Sequence, residues 1–562
     1  VQMELPIKPQ PHVIEDIEKW PIFKLYAERD KLVQEINKNA VRSLRSKYTG
    51  KLDKLLARTI YMEKIRMRED PWNADPQNEP LFWKKIQKSL PDSTAEPSEI
   101  QNRSEYLLRK IIERYAEEIA GGFKKKTFLV ARRILSFFFR RLLNAASAKN
   151  IFYIFRTKHN ISERIKLFGP LDKIRALSKE GVLVIVPTHS SNMDSILIGF
   201  ALDEIAGLPA FSYGAGLNLY NSELFGYFMN RLGAYRVDRR KKNPVYLETL
   251  KAMSNISLQW GTNTLFFPGG TRSRSGSLET KLKLGLLGTA VEAQREILRY
   301  GNKRKIFIVP VVLNYHCVLE ARYLIEQHLR SIGKDAYLGS SLDEFKSIKN
   351  VFVFLYRLLS KSSEIALSFG SPLDVIGNEV NDAGISLDQK GQCIKLEDYF
   401  ISVEAEGEAT EAQRDNVYTS VLAEKIVTSY HSHNVVFSTN LVAYCTFKTI
   451  QLQNPSLDVF AILRLGLDEV ELDKELIAKH ISAVQNILIE EEKKGNIRLD
   501  NSAVLPPQEC IADAINSIGV FHSIKPLKYN KQGKVTSGNL KMLYFYHNRL
   551  DTYEFLKQYW NN

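Results

Sequence analysis

The sequence predicts an α/β fold: a central domain with a mostly parallel sheet flanked by helices, set between helical N-terminal and C-terminal regions. Three observations predict it. Short, continuous apolar runs, GVLVIVP (181–187), NTLFFPGG (263–270), IFIVPVVLNY (306–315) and EIALSFGSP (364–372), each end in turn residues, as strands buried on both faces do. Helical stretches separate them: SILIGFALDEIAG, NPVYLETLKAMSNISLQW and KLKLGLLGTAVEAQREILRY. On either side of this block the patterning is helical.

Residues 1–165 begin with a proline-rich lead, ELPIKPQPH, and continue into IEKWPIFKLYAERDKLVQEINKNAVRSLRSKY, whose apolar residues recur at three- and four-residue spacing. PWNADPQNEP and LPDSTAEPSE are breaker-rich connections. Within TFLVARRILSFFFRRLLNAA (127–146), Arg132, Arg133, Ser136 and Arg140 share one side of a helical wheel. Ile134, Leu135, Phe138, Phe139 and Leu142 gather on the other, and Lys124, Lys125 and Lys126 precede them. That pattern fits a helix lying in a bilayer interface. A core helix with snorkelling arginines is the alternative, because Phe137 and Leu143 intrude on the polar side. Residues 166–375 hold the strand–helix alternation. Residues 376–562 open with the polar VIGNEVNDAGISLDQKGQ and are otherwise mostly helical, and no internal repeat is visible.

The net charge, 78 − 64 = +14, favours a polyanionic partner, either nucleic acid or an anionic membrane surface. Nucleic acid is disfavoured by the lack of any RNP, KH or helix-turn-helix signature. Cys317, Cys393, Cys445 and Cys510 lie far apart and make no CxxC, so neither a disulfide frame nor a zinc site is expected. His431 and His433 have no carboxylate or cysteine nearby and read as a surface turn, and no metal is expected. VQMELPIKPQPHV lacks the apolar core of a signal peptide. With no run of about 18 apolar residues, any membrane contact is from one side.

The residues able to do chemistry fall after strands, where ligands of parallel sheets bind. THSSNMDSILIGF (188–200) puts His189 at a strand end and Asp194 in the first turn of the next helix. Folded back on each other, they form a base braced by a carboxylate; a histidine bonded to a capping aspartate for structure alone is the other reading. LGAYRVDRR (232–240) supplies Arg239 and Arg240, and FFPGGTRSRSG (266–276) places guanidinium groups and hydroxyls after a double glycine. VPVVLNY adds Pro310. No GxSxG elbow appears, and Cys317 beside His316 reads as a strand-end thiol.

Four such blocks in this order, over about residues 180–325, resemble the glycerolipid acyltransferase family. Its blocks read HxxxxD, a glycine-led block ending in arginine, FPEGTRS or an EGGRSR variant, and a VP-containing strand. AGLNL (215–219), the stretch NYHCVLEARYLIEQHLR (314–330), the bulky helical N-terminal region and the long C-terminal extension are similar to the glycerol-3-phosphate acyltransferase branch. The resemblance implies that His189 takes a proton from an acceptor hydroxyl, whose oxygen then attacks a thioester carbonyl without an acyl-enzyme. It implies that Arg239, Gly270, Thr271, Arg272, Ser273, Arg274 and Pro310 form the acceptor site. The donor would be acyl-CoA or acyl carrier protein, with no further cofactor. The acceptor would be glycerol 3-phosphate, acylated at the sn-1 hydroxyl for phospholipid synthesis. The protein would be peripheral or monotopic on the cytoplasmic face of a membrane.

One departure stands out. Gly269 occupies the place of the family's glutamate. Three readings follow: a working enzyme in which another group supplies the missing function, an enzyme with a changed acceptor such as dihydroxyacetone phosphate or another alcohol, or an inactive lipid-binding relative. Retention of His189, Asp194, Arg239 and Arg272 argues against the last. Lysophosphatidate is the nearest competing acceptor, since YRVDR is close to that group's wording.

Overall fold

The structure, a computed structural model, describes residues 9–72, 75–76, 78–91, 94–147, 165–217, 233–332, 364–400, 408–466, 470–520, 522 and 524–561. The last two residues of AGLNL lie outside these. So do the side chains of Leu135, Phe138, Phe139, Arg140, Leu142 and Leu143.

Among the described residues, seven strands form the central sheet: β1 (Ile165–Phe168), β2 (Gly181–Pro187), β3 (Ser212–Gly216), β4 (Ala234–Val237), β5 (Thr264–Leu265), β6 (Lys305–Tyr315) and β7 (Ile365–Phe369). Their order is β1-β7-β6-β2-β5-β3-β4. All neighbours run parallel except β6 and β7. The sheet is therefore the mainly parallel α/β arrangement expected, with helices packed on it. Val182 to Val186 are at most 1% exposed, which is why β2 reads as an unbroken apolar run rather than an alternating one. Helices Asp194–Phe200, Pro244–Gln259 and Leu284–Arg299 follow β2, β4 and β5.

Three details differ from the sequence pattern. The run at 263–270 pairs only through Thr264 and Leu265, because Asn263 turns its side-chain oxygen to the Leu183 N–H (2.9 Å) and Pro268 cannot extend a ladder. β3 comes from SYGAG, a sequence poor in β-branched residues. Its Gly214 is required by close approach, since a Cβ there would lie 3.0–3.1 Å from the Tyr235 ring. β1 arises from IKLF, too short to announce itself.

Among the described residues, two large hydrophobic cores sit on the sheet. One joins the strands to the C-terminal helices, including Ser438–Gln453, Lys474–Lys493 and Leu540–Asp551, so the sheet and the C-terminal region share a single apolar interior. The other joins the N-terminal helices to Tyr235 and to Val245, Tyr246, Leu250 and Met253 of the helix Pro244–Gln259.

The basic segment forms the helix Lys125–Ser147. Arg132 donates to Asp203 (2.5 and 2.8 Å) and Ser136 donates to Glu204 (2.5 Å), so these polar groups face protein. The face bearing Val130, Ile134 and Phe137 is open, at 52, 58 and 60% exposure, with Lys126 and Arg133 exposed beside it. Among the described residues no helix is long and apolar enough to cross a membrane.

Candidate active site

Because β2, β3, β4, β5 and β6 run parallel, the loops after β2, β4, β5 and β6 all emerge at one end of the sheet. These are the loops that carry the chemical residues. After β2, the chain turns through Thr188–Met193 into the helix Asp194–Phe200, and Asp194, its first residue, is fully buried. Its Oδ2 lies 2.8 Å from His189 Nδ1 and accepts the N–H groups of Ser190 (2.6 Å) and Ser191 (2.9 Å). Its Oδ1 accepts the hydroxyl of Tyr315, the last residue of β6. An ionised carboxylate only accepts, so Nδ1 carries the proton and Nε2 offers its lone pair. Among the described residues nothing hydrogen-bonds that Nε2. Phe267 stacks on the imidazole, centroids 4.1 Å apart and 23° between planes, which fixes the ring's tilt.

The loop after β5 closes over this pair. Ser273 donates its N–H to the His189 carbonyl (2.7 Å), while its hydroxyl donates to the Ser277 carbonyl (2.7 Å). Gly270, at φ 79°, makes the turn that returns its N–H to Phe267 (3.0 Å). A Cβ there would meet the Lys283 side chain at 2.7–3.2 Å, so Lys283 lies directly over this turn. Thr271 and Arg274 are exposed, and Arg274 acts electrostatically on His328 of the helix Ala321–Ser331.

Arg272 donates to Glu320 (3.2 Å), which also accepts the Ser191 hydroxyl and the Asn192 N–H, both at 2.9 Å. Arg272 is thus bound to the same four-residue turn that separates His189 from Asp194. Burial pushes the Glu320 carboxyl up despite the guanidinium beside it. Arg239, after β4, is exposed and has no hydrogen bond or ion pair among the described residues. Crowding by protein, then the like charge of Arg272, lowers its pKa. Two guanidinium groups near enough to repel, one of them without a hydrogen bond or ion pair among the described residues, suit an anion. Arg240 does not join them: it pairs with Asp238 (2.8 Å) and Asp75 and stacks on Trp72. Pro310 lies inside the sheet in register with Val186, and its carbonyl accepts from the Gly370 N–H (2.9 Å).

Four contributors were not legible as single residues. Tyr315 and Glu320 fall in NYHCVLEARYLIEQHLR, so the motif extension signalled the stretch without their roles. Glu279, whose Oε1 accepts the His189 N–H (2.8 Å), lies in a segment with no pattern. Arg549, buried on the helix Leu540–Asp551, donates to the Leu313 carbonyl and to Asn434, each at 2.8 Å. Burial lowers its pKa, against the opposing pull of Tyr553, Glu279 and Asp194. A small cavity behind the histidine is lined by Ser190, Ser273, Tyr315, Phe545, Tyr546 and Arg549. His316, Glu364 and Asp500 gather within 4.8 Å, but the Lys166 ammonium already lies 2.6 and 2.7 Å from the two carboxylates and supplies the positive charge there.

The stretch that carries His189, Asp194, Arg239 and Arg272 also matches a family model. The model described as Acyltransferase covers residues 158–314. That stretch of the chain is similar to the family. It is 24% identical over 300 residues to a glycerol-3-phosphate acyltransferase of Pseudoalteromonas atlantica, covering 52% of this chain and 32% of that one. It is 25% identical over 280 residues to the protein of that name from Pseudomonas paraeruginosa (50% and 29%), and 27% identical over 272 residues to the one from Haemophilus ducreyi (48% and 28%). These matches bear out the resemblance to the glycerol-3-phosphate acyltransferase branch. They span about a third of the length of these curated relatives. A solved lysophosphatidate acyltransferase from Thermotoga maritima aligns with 66% of this chain and 94% of its own at 13% identity and a TM-score of 0.23, too slight a likeness to argue from.

Proposed function

We propose that this acyltransferase-family chain moves a fatty acyl group from a thioester donor, acyl-CoA or acyl carrier protein, to the sn-1 hydroxyl of glycerol 3-phosphate. The observation that carries the reading is the free Nε2 of His189, with Nδ1 held by buried Asp194, in one site with the Arg239–Arg272 pair. The phosphate of the acceptor sits between the two guanidinium groups, and Lys283 adds charge at the rim. Its hydroxyl then faces Nε2, which takes the proton as oxygen attacks the thioester carbonyl. Asp194 stabilises the imidazolium that forms. When the tetrahedral intermediate collapses, the C–S bond breaks, the acyl oxygen ester remains, and the imidazolium returns its proton to the departing thiolate. No covalent intermediate on the protein is needed.

The exposed face Lys126, Val130, Arg133, Ile134 and Phe137 supports a peripheral seat on an anionic membrane, where the lipid product is released. Glycerol 3-phosphate, dihydroxyacetone phosphate and lysophosphatidate all present a phosphate to the arginines. An assay with each acceptor and a labelled acyl donor separates them. Preference for glycerol 3-phosphate, with Arg239→Ala raising its KM by about tenfold or more, supports the reading. Transfer to none of the three, or an Arg239→Ala variant with unchanged KM, contradicts it.

A further inference from the structure

Position 269 carries no side chain, yet the space beside it is filled. A Cβ built on Gly269 would lie 3.1 Å from Cγ, 3.6 Å from Cδ and 3.3 Å from Oε1 of Glu279. The carboxyl of Glu279 therefore occupies the volume into which a side chain at 269 would grow. The same Oε1 accepts the backbone N–H of His189 at 2.8 Å. This brings a carboxylate to the turn that carries the base, from ten residues beyond Gly269. The fold delivers it by closing the 268–283 loop, whose ends meet where the Lys283 N–H donates to the Pro268 carbonyl (2.8 Å). Glu279 has no ion-pair partner among the described residues, and its carboxyl is raised by desolvation, against the opposing pull of the His189 N–H and Arg549. A partly buried carboxylate in so costly a setting is not explained by a surface role. Nor is it a helix cap, since the helix Leu284–Arg299 begins beyond it.

We propose that Glu279 is a positioning residue whose carboxylate has taken over the place left empty at Gly269 and holds the His189 turn against the Gly269–Ser273 loop. The inference rests on the reading of His189 as the base. It explains why Gly269 is small: a glutamate there would place two carboxylates in one volume. It also explains why the motif departs from the family's form without losing its partners.

The test is a reciprocal swap in the full chain. Glu279→Ala lowers kcat about 10- to 100-fold, the scale expected when a base is displaced by about an ångström, and narrows the pH–rate profile with little change in KM. Glu279→Gln keeps most of the rate, since an amide oxygen still accepts the His189 N–H. Gly269→Glu alone lowers the rate, whereas Gly269→Glu with Glu279→Ala recovers at least tenfold over Glu279→Ala, because the new side chain enters the vacated space. Matching thermal midpoints for Glu279→Ala and the parent exclude unfolding as the cause. An unchanged kcat in Glu279→Ala overturns the inference, as does a double variant no faster than Glu279→Ala. Run in parallel, His189→Ala separates the two claims: if it is as active as the parent, the base assignment itself falls, whatever Glu279 does.

Discussion

Asp194 accepts from four donors: one imidazole, two backbone amides and one phenol. A carboxylate that satisfied has little freedom to move, and the histidine it holds inherits that rigidity. The two serine amides bind because the turn is only four residues long, so the spacing in HSSNMD is itself the device that folds the acid back on the base. Asp194→Asn is therefore expected to lower kcat by roughly 10²–10⁴-fold, by permitting the wrong imidazole tautomer. Steady-state rates with saturating acceptor check it, and a variant within twofold of the parent contradicts the bracing role. This pairing was legible because both residues lie within one short segment. Glu279 was not, because its approach to Gly269 depends on a loop closure that no local pattern records. Arg240, next to Arg239 in the sequence, is claimed by Asp238 and Asp75; Asp75 comes from a stretch about 165 residues earlier, beyond the reach of spacing arguments.

The loop after β5 is backed by an element more than 260 residues further along the sequence. Asn548 of the helix Leu540–Asp551 donates to the Ser275 carbonyl (2.9 Å), and the Tyr546 hydroxyl accepts the Val318 N–H (2.9 Å). Gly276, at φ 87°, passes so close that an added Cβ would fall 2.1 Å from the Phe545 carbonyl. Gly276→Ala thus meets both a left-handed backbone and a backbone wall. It should cost upward of about 2 kcal/mol and lower activity by displacing the loop. Gly285→Ala, in the helix Leu284–Arg299 with open space around it, should be neutral or stabilising by about 0.5–1 kcal/mol. Chemical denaturation of the two variants measures the contrast, and equal stabilities refute the packing account. Strand existence was largely readable at this scale, since β2 and β6 are long apolar runs. SYGAG was not readable as β3, because its glycine answers to the Tyr235 ring rather than to strand propensity.

Across the molecule, the sheet shares one core with the C-terminal helices and, through the helix Pro244–Gln259, a second with the N-terminal ones. A buried charge network ties the latter together: Arg66 pairs with Glu63 (2.8 Å) and Glu79 (2.6 Å), and Lys241, next to the second motif, pairs with Glu118 (2.6 Å). The site therefore depends on residues from both ends of the described chain. The helix Lys125–Ser147 adds an outward-facing apolar stripe to this body, and its amphipathic character was visible in sequence. Which side faces protein was not, because Asp203 and Glu204, the partners of Arg132 and Ser136, lie about 70 residues away. Ile134→Ser with Phe137→Ser should reduce binding to anionic vesicles at least tenfold with an unchanged thermal midpoint. Retained vesicle binding, or a large loss of stability, contradicts the membrane-facing assignment.

The central claim is that His189 acts as the base of an acyl transfer. Its most direct test is glycerol 3-phosphate-dependent release of free thiol from acyl-CoA or acyl carrier protein, measured for the full chain and for His189→Ala at equal folded concentration. The account predicts turnover in the parent and a fall of at least 10²-fold in the variant. Equal thiol release from both, or none from the parent with either donor, would contradict it.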